Sequence, residues 1–358
     1  MTESNPLPIF DGHNDVLMNY FPPQQGKIAD FFSGDDNIRI DMPRARKGGF
    51  AGGFFAVFVP EQDSDEIEIL SKHFGPGAEY VPAGIEFDYA LRGAMSMTAA
   101  LFRLEAASNG QLKVVRTADE LAACIADGVM AAILHLEGAE PIDTDLNALE
   151  IFYQAGLRSL GLVWSRPTAF AYGVPFKFPH SPDTGPGLTD AGKALVRACN
   201  QLNIMVDLSH LNEKGFWDVA EISDAPLVAT HSNAHALCPL TRNLTDKQLD
   251  AIKETDGMVG LNFVPNFLRE DGKGDSNIPM ETLVRHLDYL VERVGINRVG
   301  IGADFGLNAF EVPQVIGDVS GLPKLVDALR DAGYDDEALR KIGYENWLRV
   351  LRQTWKST

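Results

Sequence analysis

The feature that most restricts what this 358-residue chain can fold into is an alternation of short, almost uninterrupted apolar runs with longer stretches of helical periodicity. The runs Val129–Leu136, Leu202–Leu208, Pro226–Thr230, Met258–Phe263 and Arg298–Gly302 carry little polar alternation. A strand that is apolar on both faces has to be covered on both faces, which is the pattern of a parallel sheet flanked by helices. The stretches between them carry helix-start signals. Thr117 with Glu120, and Thr245 with Gln248, stand at capping-box spacing. The spacing predicts a helix starting near Thr189, helices over Asp246–Thr255 and Met280–Val294, and a closing helical segment within Tyr334–Trp355.

Two architectures satisfy that alternation, a closed (β/α)8 barrel and an open doubly wound sheet. The first strand is followed by no G-x-G-x-x-G, and no G-x-x-x-x-G-K-[ST] occurs, so the nucleotide-binding form of the open sheet loses its main support. The ionisable residues decide further. His13, Asp15, Glu137, His210, His231 and Asp304 all fall at the C-terminal ends of apolar runs. A barrel gathers its chemistry around that whole rim, whereas an open sheet concentrates it at one switch point. The expectation is a single domain over residues 1–358: an α/β (β/α)8 TIM barrel of the metal-dependent hydrolase type, with extra helices.

Composition excludes several functions. Hydrophobic residues make up 45% and charged residues 23%, as in a soluble globular protein. A net charge of −19 argues against nucleic acid or an anionic membrane as a partner. Cys124, Cys199 and Cys238 are an odd, sparse set without C-x-x-C, so neither a disulfide framework nor a thiolate zinc site is expected; each reads as a small buried apolar residue. Met1 to Pro8 lacks a basic region leading into an apolar one, and no run of about eighteen apolar residues occurs, so a cytoplasmic location is expected. Oligomeric state is left open, a homodimer included.

The strand-end residues form a chemical set. His13 and Asp15 lie two apart on an extended segment and so share a face. Imidazole plus carboxylate is a zinc-type pair, although a buried histidine paired to an aspartate gives the same pattern. Glu137 ends an apolar strand and points into the barrel mouth, where an unpaired carboxylate is costly. A metal removes that cost, and so would an arginine. A carboxylate can also hold two ions at once, as two-metal sites require. His135 shares the parity of Glu137 and reads as a core residue or a support to the site. His210 and His231 end consecutive strands, adjacent on a barrel and close enough to share an ion. Asp304 is placed either to move a proton between a water and a leaving amine or to bind metal. The chemistry implied is metal-assisted hydrolysis, in which ions activate a water and polarise the carbonyl it attacks.

With these motifs assembled, the chain resembles the membrane dipeptidase (renal dipeptidase) family, peptidase family M19, among the amidohydrolase-like metal barrels. The resemblance rests on Asp11-Gly12-His13-Asn14-Asp15, Leu136-Glu137-Gly138, Asp207-Leu208-Ser209-His210, Thr230-His231-Ser232 and Gly302-Ala303-Asp304-Phe305, in order over nearly the whole chain. Phe152 to Trp164 and Asn243 to Asn262 follow the same pattern. It implies a zinc-dependent dipeptidase with two Zn2+ ions per chain and dipeptides, D-residues at the C-terminus included, as substrates. His13 and Asp15 would hold one ion and His210 and His231 the other. Glu137 would bridge them, which makes it catalytic together with Asp304, the acid/base. Arg242 would hold the dipeptide's free carboxylate, a task suited to a bidentate guanidinium; taken alone it reads equally as a solvated loop residue.

The chain departs from that family at three points. Trp164 takes the place of a substrate-contacting histidine, with Arg166 nearby as one candidate substitute. Phe267 takes the place of a substrate-contacting tyrosine. Asp304-Phe305-Gly306 shortens an Asp-Phe-Asp-Gly pattern. Retained hydrolysis with altered specificity is therefore expected. Another amide hydrolase, for instance one acting on N-acyl amino acids, and a non-catalytic binding protein are the competing readings. The intact ligand set and Asp304 speak against the second.

Overall fold

Nine strands carry the architecture of the computed structural model, which describes residues 6–21, 26–35, 38–62, 83–306 and 312–356. They are β1 (Ile9–Asn14), β2 (Phe50–Val57), β3 (Leu112–Val114), β4 (Met130–Glu137), β5 (Leu157–Gly161), β6 (Met205–Asp207), β7 (Val228–Ala229), β8 (Met258–Leu261) and β9 (Val299–Ile301). All pairings are parallel. The ladder runs β1-β2-β4-β5-β6-β7-β8-β9 and returns from β9 to β1, closing eight strands into a barrel. The remaining strand, β3, pairs with the start of β4 through Leu112 and Met130, on the edge that β5 takes further along. The expected (β/α)8 barrel is the observed fold.

Alternation sorts the side chains into two cores. Along β4, Ala131 and Ile133 pack inside the barrel with Phe10, Phe54, Met205, Val228 and Met258. Met130, Ala132, Leu134 and Leu136 face outward into the larger core beneath the surrounding helices. The inward parity carries on to His135 and Glu137, both buried, so the strand that fills the barrel also delivers a carboxylate to its mouth. Trp347, from the last helix Asn346–Thr354, closes the opposite end. Its indole N–H donates to the Ile301 carbonyl at 3.2 Å, and its ring sits 5.3 Å from that of Phe54.

The helices signalled at Thr117, Thr189 and Thr245 begin there, and one that the sequence reading did not name begins at Asn212. Thr117, Thr189, Asn212 and Thr245 each accept a backbone N–H three residues on, a contact that contributes about 1 kcal/mol per helix. Thr245 and Gln248 form the full reciprocal box. At the first box Glu120 instead reaches the N–H of Arg116, one residue further out. The helix Met280–Val294 has the expected bounds. The closing segment is Asp336–Arg340, a π turn over Lys341–Glu345, and Asn346–Thr354.

Strands are shorter than the apolar runs suggest. Leu202 ends the helix Asp190–Leu202, and Asn203 caps it at φ 55°, which leaves only Met205–Asp207 as β6. An asparagine tolerates that left-handed position better than the branched residues around it. Three glycines line a tight spot within the barrel: a Cβ added at Gly12, Gly260 or Gly302 would lie 2.2, 1.9 or 2.0 Å from the Thr230 carbonyl oxygen. All three cysteines are buried and free. No helix among the described residues is long and apolar enough to cross a membrane.

Candidate active site

The six strand-end residues meet at the C-terminal mouth of the barrel. β1 delivers His13 by an irregularity. Phe10 and Gly12 face inward, so strict alternation would turn His13 out. Between Asp11 and Asn14 the register against β2 slips by one residue, and such a bulge re-aims the side chains that follow. His13 thereby enters the mouth, and Asp15 follows just past the strand. Two more of the six stand on left-handed backbone, His210 at φ 67° and Asp304 at φ 61°. Non-glycine residues hold such conformations only where their surroundings over-determine them, which concentrates them at functional sites. The N–H of Asp304 donates to the His13 carbonyl at 3.1 Å, and Asp11 Oδ1 accepts from Ala303 N–H at 2.7 Å, so β1 and the end of β9 are tied together.

The distances test whether this set suits metal ions. Two ligands about 2.1 Å from one tetrahedral ion lie roughly 3.4 Å from each other. On one side His13 Nε2 is 3.5 Å from Asp15 Oδ1, 3.3 Å from Glu137 Oε2 and 3.8 Å from Asp304 Oδ1. On the other, Glu137 Oε1 is 3.1 Å from His210 Nε2 and 3.5 Å from His231 Nε2, and those two nitrogens are 3.1 Å apart. Each carboxylate oxygen of Glu137 thus faces a different group of donors at ligand spacing. Two histidine lone pairs do not face each other at 3.1 Å without a cation or proton between them. The residues fit a pair of divalent ions.

Burial sets the electrostatics. It raises the Glu137 carboxyl to about 7 and also raises that of Asp304. At His13 burial works the other way, yet Glu137 and Asp15 outweigh it and hold the imidazole's pKa well above the ordinary value. His210 and His231 are pushed well below it by burial, with Arg242 and His13 adding positive neighbours. His135, fully buried, drops to about 3 for the same first reason. His210 and His231 are thus held in the neutral form that a divalent ion requires of its ligands, whereas His13 would give up a proton on binding one.

A narrow pocket of about 30 Å³ lies over this floor, with Asp15, Glu137, His210 and Asp304 on its polar side. Its apolar wall is Met18, Phe58, Trp164, Phe176, Val264 and Phe267. Trp164 sits 5.9 Å from the His210 ring and 4.9 Å from Phe58. Phe267 stacks on Phe176 with centroids 6.1 Å apart. Arg166 does not turn toward the reacting centre: it is fully buried behind Trp164, donating to Glu140 Oε1 at 2.5 Å and to the Val59 carbonyl at 2.6 Å. That position speaks against the expected role of Arg166 as a substrate contact. Arg242 is 3% exposed, which removes the solvated-loop reading. Its guanidinium donates to Ser232 Oγ and to the His231 carbonyl, both at 2.8 Å, and lies 5.6 Å from the Phe267 centroid. Burial lowers its pKa to about 10. It is not among the residues lining the pocket itself.

Several supporting residues went unread in the sequence. Ser165 Oγ meets His210 Nδ1 at 2.8 Å. Asn262 donates to Asp304 Oδ2 at 2.8 Å. Asp207 ends β6 and contacts Thr230, which contacts His231 Nδ1. A signal existed for Asp207, which stands at a strand end like the others. For Ser165 and Asn262 nothing local distinguishes them from loop polarity.

A closed barrel with a histidine–carboxylate cluster at its C-terminal mouth defines a hydrolase of the metal-dependent barrel class. The model of the membrane dipeptidase family (peptidase family M19) matches residues 4–357, and the chain belongs to that family. It is an enzyme of the metallo-dipeptidase type. A metallo peptidase from Rhodobacter sphaeroides, solved with a phosphinate mimic of the dipeptide L-Ala-D-Ala, is 51% identical, with a TM-score of 0.95 over 98% of this chain and 100% of that one. The M19 metallo peptidase described as dipeptidase AC is 50% identical, with a TM-score of 0.94 over 98% and 99%. Dipeptidase tcpJ of Claviceps purpurea is 26% identical over 348 residues, 96% of this chain and 76% of its own length.

Proposed function

We propose that the enzyme hydrolyses dipeptides, including those with a C-terminal D-residue, with two zinc ions held by His13, Asp15, Glu137, His210 and His231. The observation that carries this reading is Glu137, whose two oxygens face separate donor groups at 3.1–3.5 Å. When bound, the ions supply Lewis acidity, activating water and polarising the scissile carbonyl. The chain's own residues do the rest. Asp304, its carboxyl raised by burial and steadied through Oδ2 by Asn262, accepts the proton of the attacking water and returns it to the leaving amine. Arg242 anchors the substrate's free carboxylate. Its hydrogen-bond partners are a hydroxyl and a carbonyl, so among the described residues no anion bonds directly to its buried charge, and a substrate carboxylate would provide one. The apolar wall around Trp164 and Phe267 packs the dipeptide side chains and excludes water. The inclusion of substrates with a C-terminal D-residue is supported by the L-Ala-D-Ala mimic bound to the 51%-identical Rhodobacter enzyme.

Metal analysis of the purified protein should find close to two zinc ions per chain, and a panel of L,L and L,D dipeptides should be turned over and lose turnover on chelation. A chelated, metal-free protein with full activity overturns the mechanism. Turnover of N-acyl amino acids but not of dipeptides would favour the other amide-hydrolase reading.

A further inference from the structure

Metal-ligating imidazoles hold one nitrogen bare, and something has to keep the proton on the other. At His231 the structure shows what does so. Asp207, 2% exposed at the end of β6, receives three donors. Its Oδ1 accepts the backbone N–H groups of Ser209 at 3.0 Å and Thr230 at 2.9 Å. Its Oδ2 accepts the Thr230 hydroxyl at 2.5 Å. A hydroxyl has one proton to give. Since Thr230 spends it on Asp207, the 2.7 Å contact between Thr230 Oγ1 and His231 Nδ1 can be made only with the proton on Nδ1. That leaves Nε2 bare, facing Glu137 Oε1 and His210 Nε2. Asp207 Oδ2 is itself 3.8 Å from Nδ1, beyond hydrogen-bond reach, so its influence passes through Thr230. Both Thr230 and His231 are fully buried, and no bulk water competes.

We propose that Asp207, acting through the Thr230 hydroxyl, is a positioning residue that fixes His231 in the tautomer able to bind metal. The inference rests on the metal reading above for its function, but not for its geometry. It makes an atom-level prediction for Asp207→Asn. The two backbone N–H groups on Oδ1 oblige the asparagine to keep its carbonyl there, so its NH2 takes the place of Oδ2. Thr230 must then accept from that NH2 and turn its own proton toward His231. Nδ1 becomes an acceptor, and the imidazole proton moves to Nε2, the nitrogen that should face the ion.

The test uses full-length protein with 15N-labelled histidine. Long-range 1H–15N spectra of the metal-free wild type should show His231 protonated on Nδ1, and those of D207N should show it protonated on Nε2. Zinc dissociation constants, measured by competition with a chromophoric chelator, should rise about 10–100-fold in D207N. If D207N does not fold, Thr230 carries the test: Thr230→Val should weaken zinc binding by the same order, and Thr230→Ser, which keeps the hydroxyl, should restore wild-type affinity. An unchanged His231 tautomer in D207N, or wild-type zinc affinity in T230V, overturns the proposal. A wild-type protein that binds no zinc overturns the metal reading instead, and the tautomer spectra still decide the relay.

Discussion

Replacing Glu137 with glutamine should destabilise the metal-loaded enzyme and stabilise the metal-free one. Glu137 is buried, its side chain 6% exposed, and burial raises its carboxyl from 4.5 to about 7. Between those values the folded chain binds a proton that the unfolded chain does not, so stability falls as pH rises through the window. Above pH 7 the ionised side chain costs the metal-free fold on the order of 3 kcal/mol. Glutamine keeps the shape and never ionises. Metal-free E137Q should therefore melt above metal-free wild type at pH 8, by roughly 4 °C for a chain of this length, and the difference should vanish near pH 4.5. With zinc present the order should invert. Each ion bound at a hundredfold excess over its Kd would add about 2.7 kcal/mol to the wild type, and E137Q, without the carboxylate proposed to hold the ions, should forfeit most of it. Differential scanning calorimetry of both proteins, chelated and zinc-loaded, from pH 4.5 to 8 reads all four cases. A metal-free E137Q that is no more stable than wild type at pH 8, or a gap that does not change with pH, refutes the reasoning.

Three further outcomes are expected. Asp304→Asn should keep its metal content by elemental analysis while kcat falls about 10²–10⁴-fold, the worth of a positioned acid/base. Arg242→Ala should lower kcat/KM for dipeptides by roughly 10–150-fold, the loss of a charge-assisted contact of about 1.5–3 kcal/mol, with metal content unchanged and discrimination against dipeptide amides abolished. His286→Gln tests acid stability away from the site. His286 is fully buried, bonded to the Leu268 carbonyl at 2.9 Å, and held down to about 4 from 6.5 by burial. Its contribution is present above pH 6.5 and is lost as pH falls toward 4, because only the unfolded chain takes up the proton there. The variant's stability measured in urea should lose less over that window than the wild type's, by about 3 kcal/mol.

The barrel was legible because its strands are apolar on both faces, and because Thr117, Thr189 and Thr245 announce the helices between them. The positions that gather at the mouth were legible for the same reason, since a charged residue after an apolar strand has few other places to go. What stayed hidden depends on tertiary partners. No alternation rule foresees that a register slip after Asp11 turns His13 inward. Arg166 reads as a candidate substrate contact until Glu140 is found against it. Asn203 looks like strand until its φ of 55° shows it capping a helix. Ser165 supports His210 across 45 residues of chain, a pairing that only the closed barrel creates.

The crowding around the Thr230 carbonyl has a consequence for how this site can change over time. Gly12, Gly260 and Gly302 come from β1, β8 and the end of β9, and each leaves under 2.3 Å between a would-be Cβ and that one oxygen. The next peptide carries His231. A methyl group at any of the three would shift it by something near an ångström, a displacement that can cost about a hundredfold in rate with every ligand still in place. Drift in these strands is therefore closed off at residues that place no side chain in the site. A change of specificity would have to come instead from the apolar wall that Trp164 and Phe267 help to form.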